Sequence, residues 1–128
     1  MDAILAVNNG GFIGLDSKLP WRSSADFKHF REMTMGKTCL VGRVTYESMP
    51  KLHGRNLIVV GKGYNTLEEA LKHDIDYVIG GKTLYRAVMH LVEDIHLSVI
   101  NDWSLGDVAM PELYGYTGEI KRYYFEVD

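Results

Sequence analysis

Asp26 follows Pro20-Trp21 by a few positions and sits near the start of a stretch, Ala25 to Met35, in which Phe27, Phe30 and Thr34 recur at helical spacing. Four residues apart, Asp26 and Phe30 share one face of such a helix. An acid in a helix's first turn has an ordinary role, complementing the positive end of the helix dipole. A partly buried carboxylate has a chemical one. It holds a proton more readily than a solvated acid, and it can make a bidentate, charge-assisted contact with an amidine-like edge of a heterocycle. On this segment alone both readings of Asp26 stand.

Two junctions have the composition of anion sites. Gly42-Arg43-Val44-Thr45-Tyr46-Glu47-Ser48 follows an apolar strand and starts a short helix, whose backbone N–H groups can face a phosphate while Arg43 adds a cation and Thr45 a hydroxyl. An ordinary strand-to-helix turn with a surface arginine accounts for the segment equally well. At Val78-Ile79-Gly80-Gly81-Lys82-Thr83-Leu84-Tyr85 the paired glycines allow close approach of backbone to a ligand, or a backbone geometry that a Cβ would resist. The spacing is not GxGxxG, so a Rossmann fingerprint is not supported. Arg55, between Gly54 and the strand Leu57-Ile58-Val59-Val60, can grip a carboxylate with its planar fork or simply be solvated. The histidines at 29, 53, 73, 90 and 96 lack paired metal-ligand spacing, and no metal is expected. Ser48 and Ser98 lack the G-x-S-x-G context of a hydrolase nucleophile. Cys39, in an apolar run, reads as a small buried hydrophobe.

These residues need a scaffold, and the chain supplies alternating elements. Strand-like runs occur at Ala3 to Asn8, Thr38 to Gly42, Leu57 to Gly61, Tyr77 to Gly80, Ile95 to Ile100 and Ile120 to Val127. Helical patterns lie between them: Ala25 to Met35 behind the N-cap candidates Ser23 and Ser24, a second opening on the capping-box spacing Thr66 to Glu69, and a third from Thr83 to Leu91. Alternation of this kind implies an α/β fold, a largely parallel sheet covered by helices, with ligand at the carboxyl ends of the strands. With 128 residues, 46% of them hydrophobic, the chain suits a single domain over 1–128. A net charge of -3 removes the case for a nucleic-acid partner. The apolar stretches are far below membrane-spanning length, and no basic region precedes the first of them, so a cytoplasmic, unexported protein is expected.

In order, Ile13-Gly14, Leu19-Pro20-Trp21, Ala25-Asp26, Phe30, Gly42-Arg43, Thr45-Tyr46-Glu47-Ser48, Gly54-Arg55, Ile79-Gly80-Gly81 and Tyr85 resemble dihydrofolate reductase. Each match is weak alone; the ordered set is specific and spans nearly the whole chain. The resemblance implies a mainly parallel sheet with flanking helices and an antiparallel C-terminal strand. It also implies an oxidoreductase that reduces 7,8-dihydrofolate to 5,6,7,8-tetrahydrofolate with NADPH, NADH being possible, in support of one-carbon and thymidylate metabolism.

Residue by residue, the resemblance makes Asp26 the carboxylate that binds the pterin's 2-amino group and N3 and promotes protonation at N5. Ser98 would support it through water, and Trp21 closes the mobile loop Asn9 to Arg22. Ile4, Ala6, Phe27, Phe30, Met49 and Ile79 look like the folate pocket, with Arg55 on the α-carboxylate of the glutamate tail. Ala6, Ile13, Gly14 and Leu19 would flank the nicotinamide, with Tyr85 near it. Gly42, Arg43, Val44, Thr45, Gly80, Gly81, Lys82, Thr83 and Leu84 would hold the rest of the cofactor.

Three departures from the family's pattern bear on that reading. The interval Val60 to Tyr77, which builds part of the adenosine site, is short, leaving Arg43 and Lys62 to contact a 2′-phosphate. The part after Pro111 is compressed, and Lys82 replaces a small residue. A monomer is expected. The competing readings are a related pterin or pyrimidine reductase, and a non-catalytic folate- or nucleotide-binding protein of the same fold.

Overall fold

A computed structural model describes residues 1–14, 19–110, 113 and 116–128. The strands β1 (Asp2–Asn8), β3 (Thr38–Gly42), β4 (Asn56–Val60), β5 (Tyr77–Val78), β6 (Asp94–Asn101) and β8 (Glu119–Glu126) form one sheet in the order β4-β3-β5-β1-β6-β8. Each neighbouring pair runs parallel. The helices are α1 (Ser24–Thr34), α2 (Arg43–Ser48), α3 (Leu67–Ala70) and α4 (Lys82–Val88), the last continuing into a 3-10 turn at Met89–Leu91. Among the described residues no helix is long and apolar enough to cross a membrane.

The alternation of strand side chains sorts the two faces. Ala3, Leu5 and Val7 of β1 join Ile95 and Leu97 of β6 in one cluster, packed against Leu84, Val88 and Met89 and against Ala70 of α3. On the opposite face Ala6 pairs in register with Ser98, and Ser98 with Tyr123, beneath α1. Helix α1 starts where the sequence signals it. The Ser23 hydroxyl accepts from the Asp26 N–H at 3.2 Å and itself donates to the Glu126 carbonyl at 2.7 Å, so the cap is joined to β8. Thr66 and Glu69 form the expected capping box ahead of α3.

The expected antiparallel C-terminal strand is not found. β8 runs parallel to β6, from Asp94 opposite Glu119 to Asn101 opposite Glu126. A tight hairpin would force antiparallel pairing, but the long connection from 102 to 118 carries the chain back to the starting end of β6 before it re-enters the sheet. Antiparallel pairing occurs instead in a ladder the sequence did not suggest, between β2 (Phe12–Gly14) and β7 (Val108–Ala109).

Candidate active site

Asp26 is 7% exposed at the buried face of α1, near the buried Ser98 of β6. Burial holds the Asp26 carboxyl above the usual range, against the opposing effects of nearby Ser98 and His29. Trp21 is also buried, and among the described residues its indole Nε1 has no hydrogen-bond partner. A buried N–H of this kind calls for a water or ligand acceptor.

The remaining folate-side candidates divide by environment. Ile4 is buried, and its carbonyl accepts a hydrogen bond from the Tyr85 hydroxyl at 2.5 Å. Ala6 lies beside Ser98, whereas Phe30, Met49 and Ile79 are half-buried and Phe27 stands exposed on α1. Arg55 is held in place by three contacts. Its Nε donates to Thr34 Oγ1 at 3.0 Å, and its terminal nitrogens donate to the carbonyls of His53 at 2.6 Å and Arg31 at 3.2 Å. One N–H on each terminal nitrogen remains for a carboxylate.

A second region opens at the carboxyl ends of β3 and β4. A cavity of about 780 Å³ is lined by Gly42, Arg43, Val44, Thr45, Lys62, Gly81, Lys82, Thr83 and Leu84, together with Val60, Gly61, Leu67, Ala87, Asp107 and Val108. Gly42 donates its N–H to the Gly80 carbonyl at 2.7 Å, joining the two glycine junctions. Gly80 has a φ of +128°, which an L side chain resists, and it precedes Gly81 through a cis peptide bond. A Cβ on Gly81 would lie 2.7 Å from Thr45 Oγ1, so the cradle is closed to any larger residue.

These features fit a phosphate-bearing dinucleotide. The cavity is of cofactor size, neither α2 nor α4 has a side-chain cap on its first N–H groups, and three cations line the walls. Arg43 has one arm on Glu47 at 2.7 Å, whereas among the described residues no such ion pair holds Lys62 or Lys82.

Tyr85 is buried and does not line the cavity, and Ile13 packs on the core while Leu19 is exposed. Gly14 closes β2, and positions 15–18 of the Asn9 to Arg22 loop lie outside the described residues. Asp107 and Val108 were missed in the sequence because β7 delivers them from far along the chain. Cys39 is fully buried, as its apolar run predicts, with its thiol pushed up to about 11 by burial.

The sequence profile of dihydrofolate reductase matches residues 1–122. A type 8 dihydrofolate reductase of Escherichia coli is 32% identical over 131 residues, covering 84% of this chain and 78% of its own. The dihydrofolate reductase of Staphylococcus aureus is 29% identical over 111 residues, 77% of this chain and 70% of its own. Among solved structures, the Enterococcus faecalis dihydrofolate reductase complexed with NADP(H) and the ligand RAB-propyl superposes with a TM-score of 0.78 at 30% identity. That match covers 88% of this chain and 77% of the other.

Proposed function

Because the chain belongs to the dihydrofolate reductase family, its activity is the NADPH-dependent reduction of 7,8-dihydrofolate, and we propose that Asp26 is the acid on which that reaction turns. The observation that carries this role is the burial of Asp26 against Ser98, which raises its affinity for a proton at the face where β1 and β6 meet.

The carboxylate accepts from the 2-amino group and N3 of the pterin, and the Ser98 hydroxyl fixes its orientation. A proton reaches N5 through water beside Asp26, and the Trp21 N–H, left without a protein partner among the described residues, holds that water or the ring. NADPH held in the cavity would supply the hydride for C6. Lys62, Lys82 and Arg43 would hold its phosphates, and Thr45 with Gly81 would position the chain around them. Ile4, Ala6 and Tyr85 keep water from the reacting carbons, while the two free N–H groups of Arg55 take the α-carboxylate of the tail.

The reading also has the chain acting as a cytoplasmic monomer, with no nucleic-acid or membrane partner. Its net charge of -3 supports the part concerning nucleic acid.

The test is loss of reduced-nicotinamide absorbance with dihydrofolate and either NADPH or NADH, for the wild type and Asp26→Asn. Oxidation that depends on dihydrofolate and is lost in the variant is the expected result. Full turnover by a folded Asp26→Asn protein at neutral pH would overturn the assignment. A preference for NADPH that Arg43→Gln and Lys62→Gln erode is the result expected for the 2′-phosphate contact.

A further inference from the structure

His29 follows Asp26 by three positions on α1, a spacing that leaves their Cβ atoms about 5–6 Å apart on one helix face. Its ring is wedged against β8, tilted on Tyr123 with centroids 4.4 Å apart and on Phe125 at 5.2 Å. The His29 Nε2 is buried and, among the described residues, has no hydrogen-bond partner. The nearby Tyr123 hydroxyl is engaged by His96. His96 Nε2 lies 3.0 Å from the Asp2 carboxylate, and its Nδ1 is paired with the Tyr123 hydroxyl at 3.2 Å. Among the described residues, His29 is a half-buried imidazole beside a buried acid, with no protein group hydrogen-bonded to its Nε2.

We propose that His29 is a positioning residue for the reaction: wedged between α1 and β8 beside Asp26, it is electrostatically coupled to that carboxylate and sets how firmly Asp26 holds its proton. The inference rests on the role assigned to Asp26 above. The titratable and charged groups that face His29 are Asp26 and Glu32 on α1, His96 on β6 with Asp2 behind it on β1, and Tyr123 on β8. Of these, burial and His96 oppose a proton on His29, while Asp26 and Glu32 favour one. Burial acts the other way on the acid, raising Asp26 while it lowers His29, so the two titrations approach each other.

The coupling is reciprocal, and each end can be read separately. At the acid, the pH dependence of the hydride-transfer rate is compared between the wild type and His29→Phe, which keeps a ring on Tyr123 and Phe125. Without the imidazolium to favour the carboxylate, the midpoint should move to higher pH by roughly half a unit, about threefold in proton affinity. At the imidazole, the ring protons of His29 are titrated by NMR in the wild type and in Asp26→Asn, where the midpoint should move to lower pH.

A purely structural role for His29 would lower the rate or the melting temperature and leave both midpoints in place, and that outcome overturns the inference. If His29→Phe does not fold, the NMR titration decides alone. Should Asp26→Asn keep full turnover, the role of Asp26 fails; should it be inactive while neither midpoint moves, only the coupling fails.

Discussion

The carboxylate of Asp128 accepts hydrogen bonds from both the backbone N–H of Ser24 at 2.8 Å and the Ser24 hydroxyl at 2.7 Å, tying residue 128 to the first turn of α1. Arg22 reinforces the contact, with its Nε 3.2 Å from the same carboxylate and its carbonyl accepting from the Asp128 N–H at 2.9 Å. The helix that bears Asp26 is thus fixed from both sides of its start.

Loss of that clasp should be visible in thermal melts. The Ser24 hydrogen bonds hold the Asp128 carboxyl below the usual range, so the folded chain binds a proton less readily than the unfolded one. The stabilisation is present above the ordinary aspartate pKa and is lost as pH falls through the lowered folded value. Asp128→Ala should melt below the wild type at pH 7, and the gap should close in strong acid. Equal melting temperatures at pH 7 would show that the clasp contributes nothing.

Asp26 carries the opposite sign. Burial raises its folded pKa, so its ionisation opposes folding, and stability falls as pH rises from the ordinary aspartate value through the raised folded one. Asp26→Asn should therefore melt above the wild type at neutral pH while losing turnover, and the two should converge in acid. Calorimetry across that range checks the trade between stability and activity.

For Arg55→Ala, the expected change is confined to substrates with a glutamate tail. Removing two charge-assisted hydrogen bonds should raise KM by about 10- to 100-fold with kcat little altered. A pteridine lacking the tail should be turned over by both proteins alike, after allowance for the lost contacts to Thr34, His53 and Arg31. An unchanged KM for dihydrofolate removes Arg55 from the site.

Gly81→Ala places a methyl group 2.7 Å from Thr45 Oγ1 and should weaken NADPH binding, at a cost of about 1–3 kcal/mol in local packing. Thr45→Ala removes the obstructing hydroxyl and should recover part of the loss in the double variant. Affinities of the four proteins by fluorescence titration measure that coupling, and additive losses would mean the two residues do not meet.

Much of this arrangement is legible in the chain because it is local. The caps at Ser23 and Thr66, the strand at Thr38–Gly42 and the helix carrying Asp26 follow from residue types over a few positions. What the sequence concealed depends on distant pairing. The direction of β8 is set by the path between 102 and 118, and Asp107 reaches the cavity through the pairing of β7 with β2. His29 shows no motif at all. Its relation to Asp26 is plain from spacing, but only packing on Tyr123 and Phe125 reveals that the ring is wedged against the sheet.

The parallel order of the sheet also governs how the chain must be made. β1 finds its neighbours only in Tyr77–Val78 and Asp94–Asn101, and β6 finds its outer partner only in Glu119–Glu126. An apolar strand made ahead of both its neighbours therefore waits until Tyr77 and then Asp94 have been added before its edges are satisfied. Pairings so distant are slow to close and leave aggregation-prone surface uncovered in the meantime. Protection of residues 3–7 in the unfinished chain thus matters to folding alongside the stability of the finished sheet.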